Sequence, residues 1–143
     1  MFKSLFKKKV TKNENNKSIL VAALLIHAAK IDESYTGNEK NIIIKALVEL
    51  DNISENKAKE VVELAEKKEK ESNQIVEYTR EVKKESIDFK LKIIEILWKI
   101  VYSDGLNDSY ESNLIRRVCG LLYISDKDSG IIKIKVKNSI KDL

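Results

Sequence analysis

Proline is absent from this 143-residue chain, and glycine occurs four times. Little in the sequence therefore interrupts a long helix. Cysteine occurs once, as Cys119, which excludes an internal disulfide and fits a reducing compartment. Histidine also occurs once, as His27. The longest apolar stretch, near Ile19–Ala29, is too short to span a bilayer. No signal-peptide cleavage pattern follows the N-terminus, so a cytoplasmic location is expected. No Ser/His/Asp set, Walker loop, dinucleotide fingerprint or zinc-ligand spacing is present. The chain is accordingly expected not to be an enzyme.

What is present in quantity is charge. The net charge is +4, and its distribution is uneven. Residues 1–17 carry Lys3, Lys7, Lys8, Lys9, Lys12 and Lys17 against Glu14 alone, a net +5. The rest of the chain is nearly neutral and lacks the basic footprint expected of a nucleic-acid binder. Residues 1–17 read as a basic flexible tail and residues 18–143 as one domain, a size that suits a single core. Within the tail, Phe2, Leu5 and Phe6 would share one face of a short helix with lysines opposite. That pattern suits weak contact with an anionic membrane, peripheral at the inner face, as well as a solvated tail.

The chain also repeats itself. At an offset of 72, Asp32 falls on Asp104 and Glu39 on Glu111. Leu25, Ile43 and Leu50 fall on Leu97, Ile115 and Leu122. One residue is then lost, and Ser54 meets Ser125. Each copy is an apolar run, a polar loop opened by Asp, and a second apolar run that starts near Glu.

Helical spacing dominates both copies. Ile19–Ile31 is an apolar run of helix length. Thr36-Gly37-Asn38-Glu39 has capping-box spacing, and Ile42, Ile43, Ala46, Leu47 and Leu50 follow on one face. Ser54 caps a helix that buries Ala58, Val61, Val62 and Ala65, and the charged stretch Glu66–Ser72 ends or extends it. Ile75–Val82 makes a short link. From near Ser86, Phe89, Ile93, Ile96, Leu97, Ile100 and Val101 line a long helix carrying Trp98. Asp108-Ser109-Tyr110-Glu111 repeats the capping-box spacing, followed by Leu114, Ile115, Val118, Cys119 and Leu122. The stretch Ile131–Val136 is β-branched and would suit a strand alone. Its partner in the first copy, Ser54–Ala65, is helical, so a helix is expected here too. The expected architecture is all-α, with about seven helices and a pseudo-two-fold duplication.

Two acidic loops, Asp32–Glu39 and Asp104–Glu111, occupy equivalent positions. If they converge, their carboxylates, asparagines and carbonyls form a hard-oxygen set suited to Ca²⁺, Mg²⁺ or Mn²⁺, not to zinc. The same residues have an alternative employment. Glu39 and Glu111 are capping-box partners, and Asp32 and Asp104 can close Asx turns.

The segment Leu97–Ser125, containing YSDGLNDSYESNLIRRVCGLLYIS, resembles the second half of the TerB-like family associated with tellurite resistance. AALLIHAAKID followed by Glu39 resembles its first half, and the likeness covers about residues 18–138. The resemblance implies a seven-helix, pseudo-two-fold bundle, related to the N-terminal module of the co-chaperone DjlA. It also implies a divalent-cation or ligand site at Asp32, Glu39, Asp104 and Glu111, with Asp108 as a further candidate. Glu33 stands where the family usually has Gly after Asp, whereas Gly105 keeps the pattern. A chain without proline has no His-Pro-Asp motif and is not the whole co-chaperone.

The function expected is a non-catalytic, protein-interacting module of a stress response, with a divalent cation as its one cofactor and no nucleic-acid partner. The alternative is a peripheral membrane scaffold or co-chaperone-like accessory whose loops are purely structural. His27 aligns with Lys99 and is expected to be partly exposed and non-catalytic. Cys119 aligns with Leu47 and is expected in the core. Trp98 and Tyr102 are expected to pack, and Arg116-Arg117 to be solvated.

Overall fold

The structure is a computed structural model that describes residues 17–30, 35–72, 74–103 and 109–141. For residues 109–112 and 140–141 it describes the helical backbone alone. Residues 1–16 of the basic tail therefore lie outside the described residues, while Lys17 opens α1. Seven helices and no strand occur among those residues: α1 (17–29), α2 (Gly37–Asp51), α3 (Glu55–Glu71), α4 (Ile75–Val82), α5 (Ile87–Tyr102), α6 (Ser109–Leu122) and α7 (Asp126–Lys141). The all-α expectation holds.

Helix α1 is apolar nearly all round, and such a helix has to be buried. Val21, Ala22, Ala23, Leu24, Leu25, Ile26 and Ala29 are each at most 1% exposed. Helix α5 is the second apolar element, burying Ile93, Ile94, Ile96, Leu97, Trp98, Ile100 and Val101. It packs against α2, α6 and α7. The amphipathic helices cover these two with single faces: Ile43, Ile44, Ala46 and Leu47 from α2, then Ala58, Val61, Val62 and Ala65 from α3.

Polar contacts at the ends of α1 fix its direction. Ser18 donates to Asp51 at the end of α2 (2.6 Å), so α1 and α2 run antiparallel. Lys17 pairs with Glu85 (2.8 Å) and lies 4.6 Å from the centre of the Phe89 ring, which ties the same end to the α4–α5 turn.

Side-chain caps start the helices where the sequence places them. Ser54 accepts from the Lys57 amide (3.1 Å), Ser86 from that of Phe89 (3.2 Å) and Ser125 from that of Asp128 (3.1 Å). The charged stretch extends α3 through Glu71, where Lys68 and Ser72 hold Glu77 of α4 at 3.1 and 3.0 Å. The β-branched stretch is helical, because Ser129 and Val136 share the buried face of α7 at helical spacing. The Trp98 indole donates to Ser129 (3.2 Å) and so joins α5 to α7. Tyr102 stacks on Trp98 with ring centres 6.0 Å apart. Cys119 is 1% exposed, and burial pushes its thiol pKa up. Arg116 and Arg117 are exposed.

Leu97→Ala, at a fully buried position of α5, is expected to cost about 2–5 kcal/mol in urea unfolding. Ile134→Ser, at a position 61% exposed on α7, is expected to stay within about 0.5 kcal/mol of the parent.

Candidate functional site

Glu39 is the acidic-loop residue whose side chain the structure describes, and it is completely buried. It sits in the first turn of α2, where a carboxylate suits the positive end of the helix dipole. Its Oε1 accepts from the Thr36 amide (2.9 Å) and hydroxyl (3.0 Å). The Glu39 amide in turn donates to Thr36 Oγ1 (3.1 Å). This is the capping box read from the sequence. Asp32, Asp104 and Asp108 lie outside the described residues, as does the side chain of Glu111. Helix α6 begins at Ser109. How the two loops stand to each other thus lies outside the described residues.

The donor set fits a hard divalent cation in kind, since carboxylate oxygens are the ligands Ca²⁺, Mg²⁺ and Mn²⁺ take. Because Glu39 Oε1 is engaged by Thr36, a cation there has to share that carboxylate with the capping box. Among the described residues no cluster of three His, Cys, Asp or Glu side chains stands ready for a metal.

Around Glu39 the ends of α1, α2 and α3 form a polar seam. Lys40 pairs with Glu66 across α2 and α3 (3.0 Å). Tyr35 lies beside it, its phenol pKa pushed up by burial and then by the charges of Glu66 and Glu39. Deeper in, Glu69 of α3 accepts from Lys30 (2.8 Å) and meets His27 Nδ1 (3.3 Å), both from the end of α1. The Glu69 side chain is 8% exposed, against 20% for His27 and 30% for Lys30. Tyr78 of α4 closes the group, 6.3 Å from the His27 ring centre, and is fully buried. His27 is therefore partly buried and paired, which gives it a structural occupation.

A family model, tellurite resistance protein TerB, matches residues 18–134. The chain belongs to the TerB family. The match spans the bundle from α1 into α7. Neither a curated protein nor a solved structure matches the chain.

Sequence reading passed over Glu69, the most consequential ionic residue among those described in this TerB-family bundle. It lies within the charged stretch Glu66–Ser72, which reads as the end or extension of a helix. The available signal was its register. Ala58, Val62, Ala65 and Glu69 follow at helical spacing, so Glu69 continues the buried stripe of α3.

Burial pushes the Glu69 carboxyl pKa up, but the hydrogen bonds and charges of Lys30 and His27 outweigh it and hold the group below its ordinary 4.5. A carboxyl with a lower pKa folded than unfolded stabilises the fold above the unfolded value. That stabilisation is lost as pH falls through the folded value. The parent is therefore expected to lose melting temperature more steeply than Glu69→Gln below about pH 4.5. Glu69→Ala is expected to cost about 2–3 kcal/mol at neutral pH by urea unfolding, in the range of hydrogen bonds to charged groups.

Proposed function

We propose that this TerB-family chain is a non-catalytic module that takes a divalent cation at its acidic loops and presents its helical surface to partner proteins in a stress response. The ligands proposed are Asp32, Glu39, Asp104 and Glu111, with Asp108 as a further one. The observation that carries the reading is the family match over residues 18–134, which contains both loops. The buried Glu39 carboxylate adds a physical reason why a cation would matter. A ligand that shares Glu39 with Thr36 acts on the start of α2 as well as on the loop before it. Cation binding then becomes a means of stiffening one end of the bundle. Among the described residues no helix is long and apolar enough to cross a membrane.

Calorimetric titration with Ca²⁺, Mg²⁺ and Mn²⁺, paired with thermal melting, tests the cation. A site filled to about a hundred times its Kd adds about 2.7 kcal/mol of stability, which a melting curve resolves. Saturable heat and a raised melting temperature are expected, and both are expected to vanish in the double variant Asp104→Asn, Glu111→Gln. No heat and no melting shift at millimolar metal would overturn the reading.

A further inference from the structure

Helices α4 and α6 border an open groove of about 480 Å³. Val76 and Leu121 supply its apolar lining, Gln74 and Thr79 its neutral polar lining, and Glu77, Arg80 and Lys83 its charged lining. Val76 is 62% exposed, although α4 has a buried face of its own in Ile75, Tyr78, Thr79 and Val82. Just outside the groove, the Lys83 ammonium lies 5.4 Å from the centre of the Tyr123 ring. At 78% exposure, Tyr123 is the most exposed large hydrophobic side chain among the described residues.

The backbone at Tyr123 is a second, independent observation. Its φ is 60°, in the left-handed region. The Ile124 amide donates to the Cys119 carbonyl (2.9 Å) and the Tyr123 amide to that of Gly120 (3.4 Å). These are the bonds of a Schellman stop, whose left-handed position ordinarily holds glycine. The turn from α2 to α3 has a left-handed residue in the same place, two before the capping serine, and fills it with Asn52 (φ 52°). Asparagine tolerates this conformation, whereas tyrosine is strained in it. The fold does not need an aromatic ring at a helix stop, and the ring faces solvent. Strain retained for an exposed aromatic side chain points to contact with something else.

The charges identify what that is. Glu77 is already held by Lys68 and Ser72. Neither Arg80 nor Lys83 forms an ion pair among the described residues. The groove therefore offers two cations that no salt bridge holds, one of them within electrostatic reach of Glu77, beside an apolar floor and an aromatic ring. The chain's own tail is basic and would be repelled. A concave groove suits an inserted side chain better than a flat lipid surface.

We propose that the α4–α6 groove docks an acidic segment of a partner protein. An apolar side chain of that segment rests on Val76, Leu121 and the Tyr123 ring, while its carboxylates meet Arg80 and Lys83. This rests on the interaction-module reading above and is independent of the cation.

The test uses the full chain in EDTA, with a short fluorescein-labelled peptide in which Phe and Leu alternate with Asp and Glu. A counterpart with lysine in place of the acids serves as the control. Saturable anisotropy is expected with the acidic peptide only, and weaker binding at higher salt. Amide shifts in ¹⁵N spectra are expected to cluster at residues 76–83 and 121–123. The double variant Arg80→Glu, Lys83→Glu is expected to lose about tenfold or more in affinity, equivalent to about 1.4 kcal/mol. Tyr123→Asn is expected to weaken binding while keeping or raising the melting temperature, which separates use of the ring from its role in the turn. Undiminished binding by the charge-reversed variant, or shifts clustered elsewhere, would overturn the proposal. So would binding of phosphatidylglycerol vesicles without binding of the peptide. With EDTA present, failure here leaves the cation titration untouched, so the two readings fall separately.

Discussion

A helix without a polar face cannot meet water, and this bundle is organised around that constraint in α1. With nearly every side chain from Leu20 to Ala29 buried, α1 has to be enclosed by the other helices. Its polar contacts are consequently displaced to its ends. Ser18 and Lys17 reach Asp51 and Glu85 at one end, and His27 and Lys30 reach Glu69 at the other. These links set the direction and depth of α1 among its neighbours, which burial alone does not specify, because the hydrophobic effect is non-directional. Lys30 also sits at the C-terminal end of the helix, where the dipole favours positive charge.

Helix α5 plays a comparable part with a different solution. It keeps Lys92 and Lys99 toward solvent and spreads its contacts over α2, α6 and α7. The Trp98 indole reaches Ser129, so even this bulky side chain has its polar atom satisfied within the core. The Lys133 ammonium lies over the Trp98 ring, 5.1 Å from its centre.

Much of the architecture was legible because helical period and capping agree along the chain. The serines at 54, 86 and 125 and the Thr36–Glu39 box mark helix starts by the same chemistry that the structure displays. The stretch Ile131–Val136 shows the limit of propensity, since packing of Ser129 and Val136 on one face outweighs β-branching. The site was less legible for physical reasons. Glu39 can be recognised as a cap from spacing, but spacing does not say whether a distant loop meets it. Glu69 was hidden because charge density conceals register, and its partners are 39 and 42 residues away. Tyr123 was hidden because a left-handed backbone at a tyrosine has no sequence signature comparable to glycine. Family membership is secure across the bundle, and it names a fold more firmly than it names a chemistry.

The lone thiol has a consequence of another kind. Cys119 lies on the buried face of α6 with 1% exposure, and burial makes it a poor thiolate while the core is closed. It becomes reactive only when that part of the core opens. The rate at which a thiol reagent modifies the chain is therefore a clock for that opening, built into α6 about one turn before its end. A cation at the acidic loops or a segment in the α4–α6 groove would slow that clock according to how firmly it holds α6 in place.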